Sequence, residues 1–457
     1  MHTEFQPVIL AGGYGSRLGV LVEEGSGPKA LLPVANRPLL SYQLDLLEKA
    51  GFLSATVLTR HSTSEPVRTY LEESYQGALQ ITLESQDDLL GTAQALLNIK
   101  TKHRTGSQFV VISGDTIVDP SFLHAMLDQH LREEATVTVA LKHKPPTEAD
   151  MASQRSVRSG DIIGTDPSSK QLLFIASSDD YVDAPMKIKH SLLDQFHSIK
   201  FGYNILDAHF YIFSRVAMDL LERQKHIHSI KHEFIPFLLR CQYRPKLATV
   251  TGKPAAKPAA HDEFEADHRH TLANSDSQAS SSSRLVTDRS SSLPTPGGVR
   301  CLIYMLDDNQ YCARVNNLAS YIESNRDIAT GKHFTKPLEP VVRGAFIGSD
   351  VSIGGKAQIS NDCVIGAGSK IGSKVSINGS VIGKQVQIGD FVKIQGCVIM
   401  DHAVIETGSV LSNSVVCSSA RVLKSSTITD CSIGPNYHTE AESKHTHESL
   451  STISTAL

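Results

Sequence analysis

Hydrophobic positions follow two different periods along this chain, and the change of period divides it. From residue 5 to about 245, short apolar or β-branched runs alternate with segments of helical period. Val8–Leu10, Ala55–Thr59, Leu79–Leu83, Phe109–Ser113 and Thr136–Leu141 read as buried strands; Leu39–Ala50, Gly91–Asn98, Pro120–Leu131 and Val216–Arg223 read as helices. Strands alternating with helices predict a mostly parallel sheet covered on both faces, with ligands at the carboxyl ends of its strands.

Beyond residue 340 the period becomes six. Ile347, Ile353, Ile359, Ile365, Ile371 and Ile377 stand six apart, and Ile382 follows after a step of five. The short step recurs at 394→399, 411→416 and 428→433, so the repeat is seventeen residues and ends at Ile433. Such a unit is a triangular coil with one shortened corner. Cys363, Ser380, Cys397, Ser414 and Cys431 each stand two positions before an isoleucine-type residue, which in a strand turns both inward. This is the hexapeptide pattern of a left-handed parallel β-helix, here of roughly five coils at a ~4.8 Å spacing. The predicted class is therefore α/β: a Rossmann-like domain followed by a left-handed β-helix. The boundaries are 1–245 for the first domain, 246–298 for a Pro-, Ala- and Ser-rich insertion, 299–336 for a return segment, 337–437 for the β-helix and 438–457 for a tail. The insertion and the Ser/Thr/His-rich tail are expected to be disordered, because their apolar content is too low to offset ordering entropy.

Composition narrows the classes. A net charge of −4 over 457 residues shows no nucleic-acid or membrane footprint. Seven cysteines without CxxC pairs predict a reduced, cytosolic protein, and the twenty histidines show no zinc spacing. Three of the cysteines are explained as small core residues of the repeat.

The candidate chemistry sits in Val8–Pro38, VILAGGYGSRLGVLVEEGSGPKALLPVANRP. Gly12, Gly13 and Gly15 follow a buried strand at once; such a turn brings backbone N–H groups close to a phosphate. Arg17 and Lys29 add cations. There is no GxxxxGK[ST], and Leu18 stands where a dinucleotide fingerprint would carry its third glycine. Asp115, at the end of the strand in FVVISGDTI, is a carboxylate placed to hold Mg²⁺ against phosphates. Gly91, in LGTA, opens a helix.

The whole stretch resembles the signature of the sugar-nucleotide pyrophosphorylases, in which a GTA turn contacts the nucleotide base. Those enzymes carry FxEKP, NAGIY-like and YWxDIGT motifs on the sugar and metal side. Here the matching stretches read Phe174-Ile175-Ala176-Ser177-Ser178, Asp207-Ala208-His209-Phe210-Tyr211 and Tyr311-Cys312-Ala313-Arg314-Val315. The lysine that holds the sugar phosphate, the glycine beside the sugar and the second metal-binding aspartate are replaced. This combination, with SIKHEFIPFLLRCQ and VRCLIYMLDDNQYCARVNNLASYIESNR, resembles the gamma-subunit family of eukaryotic translation initiation factor 2B. The resemblance implies a non-catalytic subunit of a heterodecameric guanine-nucleotide exchange factor. It would pair with an epsilon subunit, assemble with beta and delta subunits and, through the decamer, alpha, and serve initiation factor 2 as substrate. No catalytic residue or protein metal site is implied and no cofactor is required. Gly12, Gly13, Gly15, Arg17, Lys29, Gly91 and Asp115 are the candidates for a vestigial site that would bind a nucleotide weakly with Mg²⁺; the alternative is that the loop persists only because the fold or the epsilon interface needs its shape, with Arg17 and Lys29 paired to carboxylates. Two other readings stay open: a sugar-1-phosphate nucleotidyltransferase or its regulatory subunit, and a hexapeptide acyltransferase using His402, the histidine inside the repeats.

Overall fold

A computed structural model of the chain describes residues 4–22, 27–102, 108–143, 161–177, 192, 193, 196, 198–244, 298–331, 340–342 and 345–451. The expected insertion lies almost wholly outside these residues. The first domain is built on nine strands. β1 (Phe5–Leu10) sits between β2 (Ser54–Arg60) and β4 (Gln108–Ser113), parallel to both, and β3 (Gln80–Gln86) extends the sheet beyond β2. The fifteen-residue β9 (Lys200–Ser214) runs antiparallel to β4. It also pairs β6 (Val137–His143) and β7 (Asp161–Thr165), and β8 (Leu172–Ser177) closes that edge. The return segment completes the sheet: β10 (Cys301–Leu306) lies parallel to β6. A separate ribbon joins β5 (Thr116–Val118) to β11 (Cys312–Arg314), with Arg314 opposite Thr116.

The helices cover both faces. α1 (Leu39–Lys49), with Leu40, Leu44 and Leu47 fully buried, packs one side together with α3 (Leu123–Arg132). α2 (Thr92–Lys102), α4 (Arg215–Arg223) and α5 (Ile235–Tyr243) cover the other. Side chains of β1 alternate between the two layers, Val8 to one and Ile9 to the other, as the strand period requires. Among the described residues no helix is long and apolar enough to cross a membrane.

The β-helix has the expected register. Ile365, Ile382, Ile399, Val416 and Ile433 stack on one face, each paired in parallel with the next at a seventeen-residue interval. Cys363, Ser380, Cys397, Ser414 and Cys431 are buried inside it. The Ser380 hydroxyl accepts from the Cys397 N–H at 3.0 Å, and Ser414 does the same for Cys431, so the small residues also link successive coils. The tail is a correction. The coil does not stop at 437: Thr439, His445 and Leu450 continue the steps of six, six and five, and two further strands, Lys444–Thr446 and Ser449–Leu450, pair onto it. Polar Thr439, 2% exposed, and His445 hide the repeat from a hydrophobic pattern.

The two domains share a core. Outward positions on two faces of the β-helix are mostly polar, with Lys370, Gln387 and Arg421 on one and Ser376, Lys393 and Thr427 on the other. On the third they are Val364, Val381, Val398 and Val415, all buried at 4% exposure or less. This valine ladder packs against α6 (Leu318–Ala329) and against Leu18, Val20, Leu21, Val34 and Ala35 of the first domain. A tight hairpin with positive φ at Ala35 and Asn36 forms the contact; the Asn36 amide donates to the Ile382 carbonyl at 2.9 Å.

Two outcomes follow from this packing. Ile382→Asp or Ile399→Asp buries an unpaired carboxylate, costing about 3–5 kcal/mol, whereas Lys374→Asp or Lys384→Asp on the exposed corners is mild; thermal denaturation separates the classes. Ending the chain at Gly434 uncovers Ile428 and Ile433 and lowers the melting temperature, where a disordered tail would leave it unchanged. A third concerns acid. His130 is 1% exposed on α3, 2.7 Å from the Thr138 hydroxyl, and burial pulls its pKa from 6.5 down to about 4. The unfolded chain takes up that proton first, so stability is full above pH 6.5 and falls as pH drops toward 4, by on the order of 2–3 kcal/mol. Melting temperatures between pH 7 and 4.5 show this slope, reduced in His130→Gln.

Candidate functional site

The sheet order reverses around β1, and the carboxyl ends of β1, β2 and β4 open there into a cleft of about 390 Å³. Gly12 and Gly13 form one wall, Gly91 and Thr92 another, and Asp115, His209 and Arg314 the floor. Gly114 is required where it stands: a Cβ there would meet the Leu10 carbonyl oxygen at 2.9 Å, so only glycine lets β4 turn this close to β1. Gly91 likewise lies against the backbone of His228, with no room for a side chain. Its neighbour Ala93 donates to the His228 carbonyl at 2.9 Å.

Asp115 is the centre of the floor. Lys29 donates to Oδ2 at 2.8 Å and the Ser113 hydroxyl to Oδ1 at 2.7 Å. Arg314 reaches it through Nη2 at 3.0 Å on Oδ2 and Nε at 3.4 Å on Oδ1. Local folding explains both arrivals. Lys29 opens a short turn after Pro28, whose fixed φ starts that turn. Arg314 is delivered by the β5–β11 ribbon, where Val315 donates to the Asp115 carbonyl at 2.8 Å. Burial acts to raise the Asp115 pKa, but Arg314, then Lys29 and His209, outweigh it and hold the carboxyl far below its usual range.

His209 adopts a left-handed backbone, φ 51°. Asp207 holds that turn by accepting from the His209 N–H and the Tyr211 hydroxyl, both at 2.8 Å. The imidazole Nε2 lies 2.8 Å from Arg314 Nη1. Burial, partly opposed by Asp207, brings the His209 pKa down to about 4, so the ring is neutral and Nε2 accepts from the guanidinium. The His209 side chain therefore fills the floor beside Arg314.

Four candidates from the sequence, Gly12, Gly13, Gly91 and Asp115, meet at this cleft, and Lys29 joins them through Asp115. Gly15 and Arg17 do not. Gly15, at φ 70°, turns the chain into the segment Ser16–Val22, which runs toward the β-helix and buries Leu18, Val20 and Leu21. Arg17 is left exposed outside the cleft. Other lining residues were not candidates from the sequence: Thr59, Arg60 and Gln86, which carried no motif, and Lys231, within SIKHEFIPFLLRCQ. Among the described residues the buried Thr59 hydroxyl, 2% exposed overall, and Gln86 Oε1 have no hydrogen-bond partner, although Gln86 Nε2 donates to the Ala95 carbonyl at 3.0 Å. Thr59 and Arg60 end the strand beside β1, so the strand-end rule alone pointed to them. The Tyr14 ring lies against the Arg60 guanidinium and its hydroxyl donates to the Asp88 carbonyl at 3.0 Å, drawing the glycine turn over this side.

Mg²⁺ does not fit the floor. Its expected ligand Asp115 is already paired with two cations, Lys29 and Arg314. Among the described residues no group of three or more His, Cys, Asp or Glu is arranged to hold a metal. Asp115 in this structure is an anion neutralised by Lys29 and Arg314.

Comparison with known proteins agrees with both halves of the molecule. Residues 6–150 match the family model for nucleotidyl transferases, and residues 343–441 match that for the left-handed β-helix domain of the eIF2B epsilon subunit. The chain is 31% identical over 404 residues to the translation initiation factor eIF2B subunit gamma of Dictyostelium discoideum, covering 84% of this chain and 88% of the relative. It is 28% identical over 444 residues to that of Schizosaccharomyces pombe, covering 96% and 88%. A D-glycero-alpha-D-manno-heptose 1-phosphate guanylyltransferase from Aneurinibacillus thermoaerophilus is 34% identical over 139 residues, which is 30% of this chain and 57% of that enzyme. Similarity to the enzyme stays within part of the chain, whereas similarity to the first two runs through both domains, and the chain belongs to the family of translation initiation factor eIF2B gamma subunits.

Proposed function

We propose that this chain works in translation initiation as the gamma subunit of eIF2B, a guanine-nucleotide exchange factor, and that it makes no nucleotide sugar. It pairs with an epsilon subunit in the cytosol, assembles with beta, delta and alpha subunits, and supports exchange on initiation factor 2 without supplying the exchange catalyst. Full-length similarity to eIF2B gamma subunits and an epsilon-type β-helix support the assembly role.

One observation carries the non-catalytic reading: Arg314 lies on Asp115. A nucleotidyltransferase needs cationic metal held by carboxylates to stabilise charge developing on the transferred phosphate. Here the carboxylate is spent on fixed side chains, and His209 fills the adjoining space. The cleft keeps a nucleoside-phosphate site of low affinity, formed by the Gly12–Gly13 turn, Gly91 and the free donors of Arg314.

Two measurements test this. Purified chain with GTP, ATP or UTP and glucose or mannose 1-phosphate releases no pyrophosphate above background; robust turnover contradicts the reading. Affinity purification of the tagged chain from its own cells recovers the four partner subunits in fixed proportion; recovery alone, as a homo-oligomer, contradicts it.

A further inference from the structure

The cleft floor sets two fixed cations on the carboxylate expected to hold a metal. Lys29 and Arg314 both lie within 3.0 Å of Asp115, while a second carboxylate, Asp207, lies behind His209 at 3.8 Å from its Nε2. Three of the five Arg314 N–H groups are used, two on Asp115 and one on His209; the others have no protein partner among the described residues, and Arg314 lines the cleft. A divalent cation brought to Asp115 would meet two fixed cations. A phosphate would meet a guanidinium with free donors and the backbone of Gly12 and Gly13.

We propose that the Arg314 guanidinium takes the place of a divalent metal, so that this cleft excludes Mg²⁺ and binds a nucleoside triphosphate as the metal-free anion. The ligand half rests on the weak nucleoside-phosphate site proposed above; the metal half rests on side-chain geometry alone. Three features hold Arg314 in this role. The β5–β11 ribbon fixes its backbone opposite Thr116. Asp115 grips two of its nitrogens, and neutral His209, set by its left-handed turn on Asp207, accepts from a third. Arginine suits the position because its planar fork spans carboxylate and phosphate together. The arrangement also sets a preference opposite to that of most nucleotide sites: Mg²⁺ competes with the protein for the phosphates instead of bridging them.

The test uses the full chain in two arms. In the first, Mn²⁺ binding is followed by electron paramagnetic resonance. Wild type shows no Mn²⁺ site sensitive to Asp115→Asn. Arg314→Asp creates one, lost again when Asp115→Asn is added, and Mn²⁺ raises the melting temperature of Arg314→Asp alone. A wild-type Mn²⁺ site abolished by Asp115→Asn overturns the metal half. If Arg314→Asp does not fold, Arg314→Gln with wild type still decides it, since wild type must lack the Asp115-dependent site. In the second arm, calorimetry with GTP and ATP is run in EDTA and in excess Mg²⁺. Binding in EDTA is at least as tight as with Mg²⁺ and weakens tenfold or more in Arg314→Gln. Binding that requires Mg²⁺, or is unchanged in Arg314→Gln, overturns the proposal. No saturable binding in either medium overturns the ligand half, and with it the nucleotide site, while the manganese arm decides the metal half separately.

Discussion

A carboxylate buried at the end of a central strand must be neutralised, and the way Asp115 meets that demand shapes this molecule. Its partners come from far along the chain: Lys29 lies 86 positions before it and Arg314 lies 199 after. The pairing ties the glycine-turn unit, the central strand and the return segment into one floor. Buried ion pairs add little net stability over apolar packing, but removing one partner leaves a costly lone charge. Asp115 and Arg314 therefore constrain each other: changing one alone strands the other.

The same return segment joins the domains. After Arg314 it enters α6, where Tyr321 donates to the Pro33 carbonyl at 2.7 Å and Asn325 accepts from the Ala35 N–H at 2.8 Å. The hairpin thus gripped touches the β-helix through Asn36. Much of the LLPVANRP run, which reads as part of a nucleotide signature, accordingly serves domain packing in this chain. A motif can outlast its chemistry when its backbone shape is needed for assembly of the core. Three constraints act on this stretch: the turn at Gly12–Gly13 lines the cleft, Lys29 neutralises Asp115, and Val34 and Ala35 join the interdomain core.

Most of the architecture was legible from periodicity, because each element buries one face and the faces differ in period. The strand and helix segments read from the first domain lie in the observed elements within a few residues. The β-helix register was readable to the residue, since a slip of one would turn isoleucine outward. The reading stopped too early at 433, where Thr439 and His445 take inward positions. It also passed over the valines at 364, 381, 398 and 415, whose seventeen-residue spacing on an outward face marks a covered surface. At the site, glycines and strand ends were visible, but Arg17 was misplaced by proximity in sequence. The apolar Leu18, Val20 and Leu21 beside it carry that segment toward the β-helix instead. Arg314 stood out as a cation where a carboxylate was expected; its contact with Asp115 is tertiary, and no local pattern encodes it.

The account rests on Arg314 and Asp115 being one unit, and a double-mutant cycle measures that directly. Unfolding free energies of the full chain, Asp115→Asn, Arg314→Gln and the double variant give their coupling. If the guanidinium is the carboxylate's counter-ion, each single variant strands a buried group, and the double variant loses less than the two single losses together, by about 1–3 kcal/mol. Losses that simply add, within about 0.5 kcal/mol, would show two independent residues and contradict it.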